Sequence, residues 1–237
     1  MKNTGKYPRR PWSYSSLDSF TTCPYRFEQE KLLKAVPPQP LGDVQAWGLD
    51  CHKALEERCR DAAPLPERMQ RLEPVAQMVL SLPGEKRFES HLAVHRTYYN
   101  PIEADPDKTV KPDERWCHGF IDVLALNPIT ATGYVMDYKF GKVRPTRQMH
   151  LYAALVFSNF PAVQYVKTAL VYLKTGEEQM VKKDFTREKD HYAIWDSFLP
   201  AVARLEAALD NGIFVKKPSG LCGWCPVVEC DFWRERK

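Results

Sequence analysis

Two short stretches carry the residues best suited to chemistry. GFIDVLAL sets Asp122 in an otherwise apolar run, and GYVMDYKFGK does the same for Asp137 and Lys139. Charges placed among apolar neighbours need partners or a bound ion. If both runs are strands, Val135, Asp137 and Lys139 project to one face while Met136, Tyr138 and Phe140 project to the other. Two residues of strand rise then separate the roots of the carboxylate and the ammonium by roughly 6.6 Å. At that spacing an acid grips a hydrated cation while the lysine reaches the same phosphate. Magnesium takes hard oxygen ligands and keeps several waters, so two carboxylates and a backbone carbonyl suffice for it. The ion neutralises charge building on a scissile phosphate, and the lysine orients or deprotonates the attacking water. Metal-assisted phosphodiester hydrolysis is the chemistry expected. A D-x-K tripeptide alone is far more often a structural ion pair, so its context decides.

The cysteines are the second feature. No apolar run reaches the roughly 18 residues of a membrane span, and the start, MKNTGKYPRRPWSYSS, has no signal-peptide core. A cytoplasmic protein that engages no membrane is expected. There, seven cysteines are not a disulfide framework, and the odd number argues the same way. Cys222, Cys225 and Cys230 are spaced C-x2-C-x4-C, with Cys23 a fourth candidate far upstream. Four thiolates hold either a 4Fe–4S cluster or a tetrahedral zinc. Such a clamp would close a very long loop and serve structure rather than hydrolysis. Cys51, Cys59 and Cys117 fall in core-like elements and read as packing residues.

The elements that must position these groups follow from pattern. A helix is predicted from Ser15 to Lys34, interrupted at Cys23-Pro24 and ended by PPQP. A second, from Val44 to about Ala62, carries Trp47, Cys51, Leu55 and Cys59 as a core-facing stripe, and a third covers Leu65 to Leu82. Strands follow as a β-meander at Arg87–Tyr99, Arg115–Leu126 and Gly133–Phe140. Then come a helix from Thr146 to Phe160, strands near Ala162–Leu173 and Glu178–Phe185, and a long helix over about Arg187–Leu209. One α/β domain of 237 residues is expected, with a helical part at 1–84, a catalytic sheet core at 85–186, and a helix with the cysteine clamp at 187–237. Hydrophobic content of 44% with 27% charged residues excludes disorder, and a net charge of +4 mildly favours a polyanionic partner.

The series GFIDVLALN, GYVMDYKFGK and QMHLY resembles, in order, the G-x-x-D, D-Y-K-x-G-K and Q-x-x-x-Y motifs of RecB-like PD-(D/E)XK nucleases. The likeness extends to GLDCH, similar to that family's helix-borne G-x-x-x-H, and to SYSSLDSFTTCPYRF. It implies a restriction-endonuclease-like fold with a mixed central sheet flanked by helices. It implies an Mg2+- or Mn2+-dependent nuclease, an exonuclease acting on DNA ends or single strands in recombination, repair or processing. By the same resemblance His52, Asp122, Asp137 and the Tyr138 carbonyl would ligate metal, Lys139 would be catalytic, and Gln148 and Tyr152 would complete the site. The last two also lie four apart on one helix face, and Gly48 clears space one turn before His52. Glu89 is similar in placement to a family acid, while Glu56 reads as a solvated neighbour.

Cys23, Cys222, Cys225 and Cys230 resemble the iron–sulfur subgroup, which includes CRISPR-adaptation nucleases and AddB-type helicase-nucleases. The last gap is one residue shorter here than is usual there, so zinc stays the alternative. G-x-x-x-x-G-K-[ST] is absent from the sequence, so any ATP-driven unwinding belongs to a helicase or other partner protein. Lys6, Arg9, Arg10, Lys142, Arg144, Arg147, Lys216 and Lys217 are candidates to track a phosphate backbone. Trp12, Tyr14 and Trp224 are candidate stacking residues for which packing is the simpler role. The competing functional reading is a non-catalytic DNA-end-binding or scaffold subunit. A third is a zinc-tailed RNA-processing protein.

Overall fold

The structure, a computed structural model, describes residues 5–37, 40, 42–97, 114–140, 143, 146–173 and 178–235. The chain groups into two compact units, Met1–Pro40 with Asp196–Lys237 and Leu41–Trp195.

The second unit holds a five-stranded mixed sheet in the order β1-β2-β3-β4-β5: β1 Glu85–Val94, β2 Cys117–Asn127, β3 Thr132–Lys139, β4 Tyr165–Leu173 and β5 Glu178–Thr186. The first three strands form the expected antiparallel meander. Gly84 opens it at φ +100°, where a Cβ would lie 2.2 Å from the Leu126 carbonyl oxygen, so the turn admits only glycine. β3 and β4 are parallel, which requires a crossover, and helix α5, Gln148–Asn159, supplies it.

Two helical layers cover the sheet. On one face α3, Asp43–Asp61, and α4, Glu73–Ser81, present Cys51, Leu55, Cys59, Val75 and Val79 to Val123, Met136, Tyr138 and Val171. The stripe of fourfold spacing in α3 is this contact, and Trp47 packs against it half-buried. On the other face α5 is buried at Met149 and from Leu151 to Asn159, as a helix apolar almost all round must be. Ser158 on its outer side meets His191 and Trp195 at the start of α6, Arg187–Asn211. Cys51 and Cys117 are wholly buried and Cys59 nearly so, in line with packing roles.

In the first unit α1, Tyr14–Thr22, starts at a Ser13–Ser16 capping box and stops at Cys23, whose extended backbone precedes the short α2, Pro24–Phe27. A π-helical turn, Glu28–Leu32, follows where the helix was expected to run on after its interruption at Cys23-Pro24. Phe20, Phe27 and Phe214 pack edge-on or stacked, and Trp12, 2% exposed, lies against Phe198. Trp12 is therefore a core residue of this unit. Among the described residues, no helix is long and apolar enough to cross a membrane.

Candidate active site

The sheet opens around its acidic residues. Pairing of β2 with β3 runs from Asn127↔Thr132 to Val123↔Met136 and ends one step before Asp122 would oppose Asp137. Between β1 and β2 the ladder holds on both sides of Glu89 and Asp122 but skips that pair. Glu89 sits there at φ +47°, a left-handed conformation strained for a glutamate. The alternation of β2 changes phase at the same place. A Cβ on Gly119 would meet Leu155 and Tyr152 of α5, whereas Val123, four residues on, packs on the α3 side. Strict period two would put both on one face. Asp122 lies at this break, and its Oδ2 accepts the Tyr138 N–H at 2.7 Å that the interrupted ladder leaves over.

His52 reaches the opening from α3. Its Nδ1 is 3.3 Å from Asp122 Oδ2 and its Nε2 3.1 Å from the Tyr138 carbonyl oxygen, with the ring edge-on to Tyr138. Gly48, one turn earlier, lets the helix this close: a Cβ there would be 3.0 Å from the Phe140 ring. Ligand atoms of His52, Glu89 and Asp122 all lie within 4.8 Å of one another.

Across β3, Asp137 is almost wholly buried, 3% exposed, on the α5 side. Its Oδ1 accepts from the Tyr152 hydroxyl at 3.0 Å and the Gln148 amide at 3.3 Å. Gln148 also donates to the Tyr152 hydroxyl, so the two residues one turn apart hold the carboxylate as a unit. Asp137 Oδ2 accepts no well-directed hydrogen bond and has the Lys139 ammonium as its ion-pair partner. Thr146 Oγ1 accepts the Gln148 N–H at 3.1 Å and so helps start α5, whose first helical residue is Gln148.

The electrostatics suit a cation. Burial, then the charge of Asp137, holds the Asp122 carboxyl well above the usual carboxylate range, with the Tyr138 N–H opposing. Glu89 is raised by burial and then by Glu56 and Asp137. Burial lowers the His52 imidazole, which is then neutral at neutral pH and has one N–H for two oxygen neighbours. With Asp122 ionised, one of those contacts would set lone pair against lone pair, an arrangement that a cation between the atoms relieves. Carboxylates, a main-chain carbonyl and an imidazole fit Mg2+ or Mn2+. His52, Asp122 and the Tyr138 carbonyl thus meet, joined closely by Glu89, while Asp137 stands with Lys139, Gln148 and Tyr152.

The first unit brings Cys23, Cys222, Cys225 and Cys230 to one recess, lined also by Tyr25, Arg26, Lys216 and Trp233. All four are free, partly exposed thiols, and Cys222 Sγ accepts the Ser219 N–H. Thiols are the donor type that iron–sulfur clusters and structural zinc take. Of the basic candidates, Arg9 pairs with Asp210, Lys216 with Asp231, and Lys217 donates to the Thr21 carbonyl. Lys142 and Arg144 fall outside the described residues.

Among curated protein sequences no relative matches the chain. Its fold is similar to the crystal structure of SSO0001, with 13% identity, a TM-score of 0.45 and coverage of 94% of this chain and 87% of that one. It is likewise similar to a presumptive exonuclease from Eubacterium rectale, with 10% identity, a TM-score of 0.47 and coverage of 91% and 93%. The family model described as the PD-(D/E)XK nuclease superfamily matches residues 11–230, and with nearly the whole length matched, the chain belongs to the PD-(D/E)XK nuclease superfamily.

Proposed function

We propose that the protein is a divalent-metal-dependent deoxyribonuclease, an exonuclease acting on DNA ends or single strands. The observation that carries this reading is the meeting of Asp122, Glu89 and His52 at one break in the sheet, with Asp137 and Lys139 on the adjoining strand. In a nuclease-superfamily chain, that is where a phosphodiester would be cut. His52, Glu89, Asp122 and the Tyr138 carbonyl would hold Mg2+ or Mn2+, with Asp137 contributing from β3. Such an ion supplies charge neutralisation at the phosphate and a more acidic water. Lys139 orients the attacking water, its ammonium held in place by Asp137. Gln148 and Tyr152 fix the Asp137 carboxylate, which frees its second oxygen for the lysine or a ligand.

The thiol recess is proposed as a 4Fe–4S site with a structural role, zinc being the alternative. Its support is that a residue at the α1–α2 break and three from the irregular tail line one recess without a disulfide. Anaerobically purified protein is expected to show a broad band near about 400 nm. Colourless protein with one bound zinc would replace the iron–sulfur assignment and leave the nuclease reading intact.

Digestion of labelled single-stranded and duplex DNA, with Mg2+, Mn2+ or EDTA, tests the activity. Metal-dependent cleavage that disappears in Asp137→Ala supports it. Metal-independent binding with no cleavage by the wild type would instead identify a DNA-binding scaffold.

A further inference from the structure

Immediately beside the acidic break, the same two strands carry an exposed aromatic group that the catalytic reading does not use. Phe120 of β2 and His91 of β1 are direct partners in the ladder. Their rings stack face to face, with centroids 4.2 Å apart and planes within 7°. His118 stands edge-on to both and brings Nδ1 within 3.1 Å of His91 Nε2. Phe120 is thus held by two neighbours yet remains 53% exposed. Phe120 is two residues from Asp122 and His91 two from Glu89, a displacement of roughly 6.6 Å along the strands.

We propose that the Phe120–His91 stack, braced by His118, is a platform for an unpaired base of the DNA strand whose backbone enters the acidic site. This rests on the nuclease reading and deepens it by naming the substrate class as single-stranded. Three observations select that occupant. A flat, pre-ordered ring offers a π-face that any base can cover, at little further loss of side-chain freedom. The charged neighbour acting on both imidazoles is the Arg115 guanidinium, a cation complementary to a phosphodiester strand. The platform also continues directly into the site where the scissile phosphate would lie, so a strand held at one reaches the other. A base in a duplex is stacked and paired already, and only an unpaired one is available to Phe120.

Binding in EDTA separates this proposal from cleavage. Full-length protein is titrated with a short oligonucleotide carrying 2-aminopurine, as a single strand and as a duplex. The wild type is expected to prefer the single strand and to quench the base fluorescence. Phe120→Ala is expected to weaken single-strand binding about tenfold and abolish the quench, with duplex binding little changed. Phe120→Trp should restore binding, with its own fluorescence quenched by DNA, and this arm stays informative if the alanine variant folds poorly. Equal single-strand affinity in wild type and Phe120→Ala overturns the platform, as does a wild type that prefers duplex without quenching. In Mg2+, Phe120→Ala should raise KM far more than it lowers kcat. Expected binding without metal-dependent cleavage would refute the nuclease reading alone. Cleavage whose KM ignores Phe120 would refute the platform alone.

Discussion

The two polar clusters of this molecule are held by opposite means. The acidic group stands on a sheet and two packed helices, and apart from the local break at Glu89 and Asp122 the backbone that carries it is regular structure packed on both faces. The thiol group draws Cys23 from an extended residue between two helices and the other three from a tail whose regular part is one 3-10 turn, Gly220–Trp224. In the first the fold positions the ligands, so like charges can be crowded before any ion arrives. In the second a ligand would position the chain, because the tail has little regular structure of its own. Loss of a side chain should therefore remove chemistry at one cluster and stability at the other.

Asp122→Asn is the strongest test of that contrast. Cleavage is expected to fall by about 10³-fold, the range seen when one preorganised electrostatic contact is removed. Stability should not fall with it. The Asp122 carboxyl is raised above its ordinary value by burial and by Asp137, so at neutral pH its ionised form opposes folding. The amide relieves that and still accepts the Tyr138 N–H, so Tm should hold or rise by a few degrees. A variant that melts early while its folded fraction cuts normally would break the comparison.

Cys225→Ser should give the mirror image. If the four thiols hold the proposed cluster, loss of one is expected to lower Tm by about 10 °C or more and to remove the absorbance near about 400 nm. Turnover per folded molecule should stay within about twofold of wild type, assayed at a temperature where both are folded. A loss of turnover comparable to that of Asp122→Asn would make the thiol group part of the chemistry.

Acid exposes a weakness of the unit that bears the acidic site. His191 is buried behind α5, shares a hydrogen bond with the Ser158 hydroxyl through Nε2, and faces the Arg187 charge. Burial, then Arg187, lowers its pKa from 6.5 to about 4. Above pH 6.5 both folded and unfolded chains carry it neutral and it contributes no pH dependence. As pH falls from 6.5 toward 4 the unfolded chain takes up a proton that the folded one refuses, so stability drops through that window and levels off below it. The loss is of order 2 kcal/mol once solvent screening is allowed for. Thermal melts between pH 7 and 4 should flatten in His191→Gln relative to wild type. An unchanged slope would assign the acid sensitivity elsewhere.

What the sequence made legible tracks the same divide between regular and irregular backbone. Strand-like composition marked the strands, alternation put Asp137 and Lys139 on one face of the third, and the one-turn spacing paired Gln148 with Tyr152. The Gly48–His52 spacing likewise anticipated a helix packed close over β3. Glu89 was harder to place, because its approach depends on a positive φ and on a change of phase shared by two strands, and neither leaves a mark in residue pattern. The first strand was expected to reach Tyr99, whereas β1 ends at Val94. Likewise the π-helical turn after Phe27 is invisible to a hydrophobic pattern that continues through it. Phe120 reads in sequence as one more apolar strand residue, and its exposure is not marked there.

The mildest perturbation tests how finely the packed side of the comparison is set. Gly119 lies on β2 beneath α5, and a methyl group there would approach Leu155 Cδ1 to 2.9 Å and the Tyr152 ring to 3.3 Å. The leucine end can swing aside at little cost. The tyrosine cannot move as freely, because its hydroxyl is tied to Asp137 and Gln148. Gly119→Ala should therefore tilt Tyr152 by a few tenths of an ångström and pass the strain to the carboxylate that holds Lys139. Overpacking by one methyl costs about 1 kcal/mol of stability, and a comparable misplacement of Asp137 lowers kcat roughly three- to tenfold. Tyr152→Phe in the same background discriminates the route. With the hydroxyl gone the ring is free to yield, so the alanine should then add little further loss. If the two losses multiply instead, Gly119 acts on the site by some path other than Tyr152, and the acidic cluster is less tightly coupled to α5 than its hydrogen bonds imply.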